Sequence, residues 1–172
     1  ELMPTVQQRK YMIKRIREIR PDKSDIRLFP MDFQNDGEFV GGCIAAGRNY
    51  FHINSAGDAE PCVFIHYSDS NIRDKSILEI LQSPLFMAYY NEQPFNRNHL
   101  RPYPMLENPE KLRKIVKDTG AKSTDLELLE DVEHLCSKCD KYAACWAKEA
   151  DKIWNSKKHN NKGKYQNYAP HR

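Results

Sequence analysis

The sequence predicts an α+β fold, a β-hairpin with several helices packed around it, entered through a helix and a strand. Three observations carry this. Capping and apolar-period signals mark four helices, two β-rich runs flank a turn at Ser55-Ala56-Gly57-Asp58, and Pro and Gly punctuate the remainder. A chain of 172 residues has room for one core, or for one domain and part of another.

Thr5 to Arg20 reads as the first helix. Thr5 and Gln8 match a capping box, Met12, Ile16 and Ile19 share a stripe, and Pro21 stops it. The face with Arg9, Lys10, Lys14, Arg17 and Arg20 is expected to be solvated. Ile26 to Phe33 reads as a strand, bent or placed at an edge by Pro30. One helix and one strand cannot close a sheet, so residues 1–40 are expected to be the last piece of a larger α/β unit. An opening on Glu1 agrees with a piece of a longer polypeptide.

Asn35-Asp36-Gly37 is a turn signal, and the Gly41–Gly47 run is small and exposes backbone. Tyr50–Asn54 and Glu60–Tyr67 form the hairpin. Ser76-Ile77-Leu78-Glu79 is a capping box whose helix reaches about Asn91, interrupted at Pro84. Four prolines between Gln93 and Pro109 make that stretch an irregular loop. Asn108 caps a helix from Pro109 to Thr119 that ends at Gly120. A last helix is expected over Leu126 to Trp154, with Leu135, Cys139, Tyr142, Trp146 and Ile153 as its apolar stripe. The polar, basic tail, residues 157–172, is expected to be disordered.

Charge argues against nucleic acid. Five of the 27 Lys and Arg lie in Asn155–Arg172, which holds no acid, so the 22 left in residues 1–154 fall short of the 24 acids there. Phosphate binding needs a concentrated basic surface on the fold. The mean hydropathy is −0.80 and no run approaches a membrane span. Five cysteines, an odd number, without a charged-then-apolar leader point to a reducing, cytoplasmic setting rather than a disulfide framework.

The cysteines stand in two groups, Cys43-x13-Gly57-x4-Cys62 and Cys136-x2-Cys139-x5-Cys145. A C-x2-C pair puts two thiolates within one turn, as zinc and iron–sulfur sites require. A second pair far away suggests that a metal ties two segments together. On a helix, Cys136 and Cys139 are about 60° apart, but Cys145 is about 180° from Cys136 and joins them only if the helix breaks. Otherwise Cys145 is expected as a small buried residue beside Tyr142 and Trp146.

From Gly41 to Trp154, and most clearly in GGCIAAGRNYFHINSAGDAEPCVFIHYSDSNIRDKSILEILQSPLF, the chain resembles the C-terminal auxiliary region, SPASM or twitch type, of radical S-adenosylmethionine enzymes. Cys43, Gly57, Cys62, Cys136, Cys139 and Cys145 match that family's pattern. The resemblance implies metal ligation by Cys43, Cys62, Cys136, Cys139 and Cys145, a [4Fe–4S] cluster, and a role in electron relay or substrate positioning. It implies as partners a radical S-adenosylmethionine barrel in the same polypeptide and a peptide or small-molecule substrate, without membrane. Residues 1–40 then correspond to the end of a partial (β/α) barrel and 41–156 to the cluster domain. Glu149 and Tyr103 stand where related sequences carry cysteine. Five cysteines are too few for two complete four-thiolate clusters. One cluster on Cys43, Cys62, Cys136 and Cys139, or an incompletely ligated cluster with an open iron, remains. The chain has no C-x3-C-x2-C, so S-adenosylmethionine would be bound only by a core domain that this chain does not contain.

Two other readings come from the residues alone. Cys62, His66, Cys136 and Cys139 would make a structural zinc site, and a structural zinc-binding or metal-free interaction domain is the alternative to the iron–sulfur reading. His134 near Cys136 raises a catalytic thiol, but no third orienting group accompanies it.

Overall fold

The computed structural model of the chain describes residues 3–19 and 35–158. In order these form α1 (Val6–Ile19), α2 (Gly37–Val40), β1 (His52–Ile53), β2 (Ala59–Glu60), β3 (Tyr67–Ser68), α3 (Ile77–Leu81), α4 (Pro84–Glu92), α5 (Pro104–Glu107), α6 (Pro109–Thr119), β4 (Lys122–Ser123) and α7 (Val132–Lys158). Helices and small antiparallel sheets are segregated, an α+β arrangement, and the described residues close no barrel. The expected strand over Ile26–Phe33 lies outside the described residues, as does the tail beyond Lys158. The last helix runs through Lys158, so Lys157 and Lys158 belong to it and not to the tail.

Local signals set several element ends. The Gln8 amide donates to Thr5 Oγ1 at 3.2 Å, and Gln8 Oε1 accepts from the Thr5 amide at 2.8 Å. Ser76 and Glu79 form the same reciprocal box at α3. Ser83 caps α4 with Pro84 in its first turn, and the Asp69 carboxylate takes the Leu85 amide at 2.7 Å. α6 spans Pro109–Thr119 as expected and ends on Gly120 in the left-handed region, φ +67°. Asn108 makes no side-chain cap there, contrary to expectation. Its amide instead donates to the carbonyls of Arg101 and Tyr103, both at 3.0 Å. That ties the proline-rich loop, which contains the single turn α5, to α6.

The solvated-face reading of α1 holds at Lys14, which is exposed, and is corrected at Arg9, which is buried, while Arg20 lies outside the described residues. The helix's buried residues are Arg9, Ile13 and Ile16, whereas Met12 and Ile19 are exposed. The inward stripe is displaced from the expected one because Trp146 and Tyr142 of α7 and the Glu107 carboxylate of α5 form a seat for Arg9. Ile13 packs with Leu100, Trp146 and Ala150. Arg17 forms a two-point ion pair with Glu38 at 2.8 and 2.9 Å.

The hairpin is shorter than expected. His52 pairs with Glu60 and Ile53 with Ala59, and the chain leaves the ladder at Pro61. Tyr67 and Ser68 pair instead with Ser123 and Lys122 of β4. The last helix begins at Val132, not Leu126, because the Asp131 carboxylate caps the Glu133 amide at 2.8 Å. Leu126, Leu128 and Leu129 lie exposed in the preceding loop. The inward face of α7 is Val132, Cys136, Ala143, Trp146 and Ala150, with the expected Leu135, Cys139, Tyr142 and Ile153 along its flanks. Among the described residues no helix is long and apolar enough to cross a membrane.

Candidate metal centre

Cys43 lies in the loop after α2 and is 4% exposed. Arg48 shapes that loop by donating to the carbonyls of Val40, Gly41 and Cys43 at 2.8 to 3.1 Å. The Ala46 amide donates to Pro61 O at 2.8 Å, which ties this loop to the segment bearing Cys62. Cys62 follows β2 and bridges to Ile65. Backbone amides face both sulfurs: that of Ala45 toward Cys43, and those of Phe64 and Ile65 toward Cys62, where the Tyr50 hydroxyl also donates. The two thiols lie in each other's field. Burial pushes Cys43 up to about 12 and raises Cys62 as well.

Gly57 makes this approach possible. Its φ is +90° in the hairpin turn, and a Cβ there would meet Asn71 Oδ1 at 2.8 Å. Asn54 Oδ1 accepts from the amides of Ala56 and Asp58 at 2.9 and 3.0 Å, closing the loop that returns the chain toward Cys62.

Cys136 and Cys139 occupy the second turn of α7. Cys136 is fully buried in the same apolar cluster as Cys43, against which Cys62 also packs, and Cys139 is half-buried. Burial pushes Cys136 up to about 12, although Arg113 pulls the other way, and it raises Cys139. Arg113 is held by Asp140 through two contacts of 3.0 and 2.6 Å. The structure does not bring Cys145 to the other four. α7 is unbroken from Val132 to Lys158, so Cys145 stands on the side away from Cys136, and it is exposed. The expectation that it would be buried beside Tyr142 and Trp146 is therefore corrected.

Two buried side chains link the early and late pairs. Tyr89 of α4 is fully buried, and its hydroxyl is in the field of Cys62, Cys43 and Cys136. That hydroxyl has no hydrogen-bond partner. Glu107 is in the field of Cys43 and of Cys139, and burial pushes its carboxyl up to about 7 despite Arg9 beside it. Neither residue carries a sequence signal. Tyr89 reads as one more apolar-face residue of a helix, and Glu107 as one acid among many.

Among the described residues no three His, Cys, Asp or Glu side chains converge closely enough to hold one metal ion. The zinc set is not assembled, since His66 turns to Glu60 at 3.5 Å. His134 pairs with Glu130 at 2.7 Å, and the raised Cys136 thiol is the opposite of an activated nucleophile. An iron–sulfur cluster makes a wider demand. Its thiolates bind separate irons, so they stand further apart than ligands that all sit about 2.3 Å from one zinc. Three soft donors at one core with a fourth one helical turn away, amide N–H groups aimed at sulfur and an orphaned hydroxyl fit such a group.

The SPASM iron-sulfur cluster-binding domain matches residues 43–140 of this chain. No curated protein and no solved structure matches it. The matched stretch is more than half of the 172 residues, opens on Cys43 and closes directly after Cys139, leaving Cys145 outside. With Cys43, Cys62, Cys136 and Cys139 all inside that stretch, the chain belongs to the SPASM family of iron-sulfur cluster-binding domains.

Proposed function

We propose that this chain is the auxiliary cluster domain of a radical S-adenosylmethionine enzyme, working beside a catalytic barrel in the same polypeptide. Cys43, Cys62, Cys136 and Cys139 would hold one [4Fe–4S] cluster. The observation that carries the reading is that Cys43, Cys62 and Cys136, from distant segments, meet at one buried core inside the family match, with Cys139 one helical turn from Cys136. When bound, such a cluster relays an electron or positions a substrate.

The chain's own part is preparation. Burial keeps the four thiols protonated in the metal-free protein, so loading displaces protons from sulfur. The amides of Ala45, Phe64 and Ile65 and the Tyr50 hydroxyl then stabilise the thiolates they already face. Glu149 and Tyr103, in place of cysteines, leave the site with these four as its inward-facing thiols among the described residues.

The test is anaerobic loading of the chain with ferrous iron and sulfide. A brown thiolate-to-iron absorption and bound iron are expected. Alanine at 43, 62, 136 or 139 should each cut the iron retained by more than half, and Cys145→Ala should leave it unchanged. Equal loss from Cys145→Ala would overturn the ligand set. The link to a barrel is tested separately by the coding sequence upstream, where a C-x3-C-x2-C motif followed by βα repeats is expected.

A further inference from the structure

We propose that the Tyr89 hydroxyl is the hydrogen-bond donor that tunes the cluster, donating a hydrogen bond to a cluster sulfide or to a ligand thiolate and thereby raising the reduction potential. This rests on the cluster reading above and adds a residue that the cysteine pattern does not contain.

The starting observation is an anomaly. Buried hydroxyls almost always find an acceptor, because an unmade hydrogen bond in an apolar interior is costly. Tyr67, buried likewise, obeys this and donates to Glu130 O at 2.7 Å. Tyr89 is 0% exposed and its hydroxyl has no partner. Nor can the side chain swing out to water. Its ring stands edge-to-face on Phe95, with centroids 5.3 Å apart, and its α4 neighbours Leu85 and Phe86 are fully buried.

What surrounds the hydroxyl identifies the missing acceptor. Tyr89 lies in one buried cluster with Cys43 and Cys136, and Cys62 packs against that cluster, so the nearest candidates are two thiols from the hairpin side and one from α7. A protonated thiol is a weak acceptor, whereas a thiolate or inorganic sulfide is a strong one. The acceptor therefore comes into being when metal binding strips the thiols of their protons. Burial also keeps the phenol itself neutral, so it remains a donor. A donor at sulfur withdraws negative charge and favours the state carrying one more electron, so the potential rises.

The experiment compares the loaded wild-type chain with Tyr89→Phe and with 3,5-difluorotyrosine placed at 89. Tyr89→Phe keeps the ring and its Phe95 contact. It should hold as much iron as wild type, show a more negative midpoint potential, and lose a deuterium-sensitive shift of the iron–sulfur stretching bands. The more acidic difluorophenol should move the potential the other way. In the metal-free chain Tyr89→Phe should raise the melting temperature, since it removes an unsatisfied group. Equal potentials in wild type and Tyr89→Phe, both fully loaded, would overturn the role of Tyr89 and leave the cluster reading intact. Should Tyr89→Phe not fold, the wild-type deuterium shift and the difluorotyrosine potential decide: neither moving overturns the proposal. A wild-type chain that takes up no iron would sink the cluster reading, and this role with it.

Discussion

Arg9 is the charged side chain that a reading of surface patterns places worst. It lies in a run of basic residues on α1, yet it is 1% exposed. Its guanidinium stacks 4.1 Å from the Trp146 ring centre, pairs with Glu107 at 2.6 Å, and donates to Asn35 Oδ1 at 3.0 Å and Leu100 O at 3.2 Å. Both ion-pair partners are almost wholly buried. Removing one member leaves the other charge without compensation in an apolar interior, which is worse than having neither. Arg9→Ala should therefore destabilise the chain by about 3–5 kcal/mol. The double variant Arg9→Met/Glu107→Leu should recover a large part of that loss. Urea unfolding of the three proteins measures it, and a loss below about 1 kcal/mol for Arg9→Ala would mean the pair is not buried in solution.

At the scale of elements, what could be read from sequence was what is decided locally. The boxes Thr5/Gln8 and Ser76/Glu79, the Pro84 restart and the Pro109-to-Gly120 helix each depend on residues within a few positions of one another. The β3–β4 pair was invisible because it joins Tyr67 to Ser123 across most of the domain, and two-residue strands carry no period. Cysteine spacing marked both thiol pairs, but the placing of Cys43, Cys62 and Cys136 at one core depends on how α4, α6 and α7 pack, and the orphaned Tyr89 hydroxyl exists only in that packing. The hairpin turn is an element whose sequence requirement the structure now explains. Gly57→Ala places a Cβ on Asn71, which donates to Ala56 O at 3.1 Å and Asp58 Oδ1 at 2.9 Å, and forces a side-chain-bearing residue to φ +90°. A cost of about 1–3 kcal/mol is expected from this strain. Thermal melting should show the loss, and iron uptake should fall with it because the same turn delivers Cys62. Unchanged stability in Gly57→Ala would show that the turn can relax without Asn71.

For the whole molecule, the question is what keeps α1 on the cluster domain. The apolar part is Ile13 against Leu100, Trp146 and Ala150, and the polar part is Arg9, Arg17 with Glu38, and Lys10 with Glu149 at 2.9 Å. Glu149 on α7 has a definite task. It takes Lys152 from its own helix and Lys10 from α1, and those two lysines hold its carboxyl down at about 2. A carboxylate with a depressed value in the folded chain binds its proton more readily when unfolded. Its stabilising effect is thus complete above the ordinary glutamate value of about 4.3 and is lost as pH falls toward 2. Glu149→Gln should melt below wild type at pH 7, and the gap between the two should close steadily from about pH 5 to about pH 2. Added salt should narrow the same gap at pH 7, since the pair is partly exposed and screened. A gap that persists at pH 2 would assign the effect of Glu149→Gln to packing rather than to charge, and α1 would then be held by its apolar face, Arg9 and the Arg17–Glu38 pair.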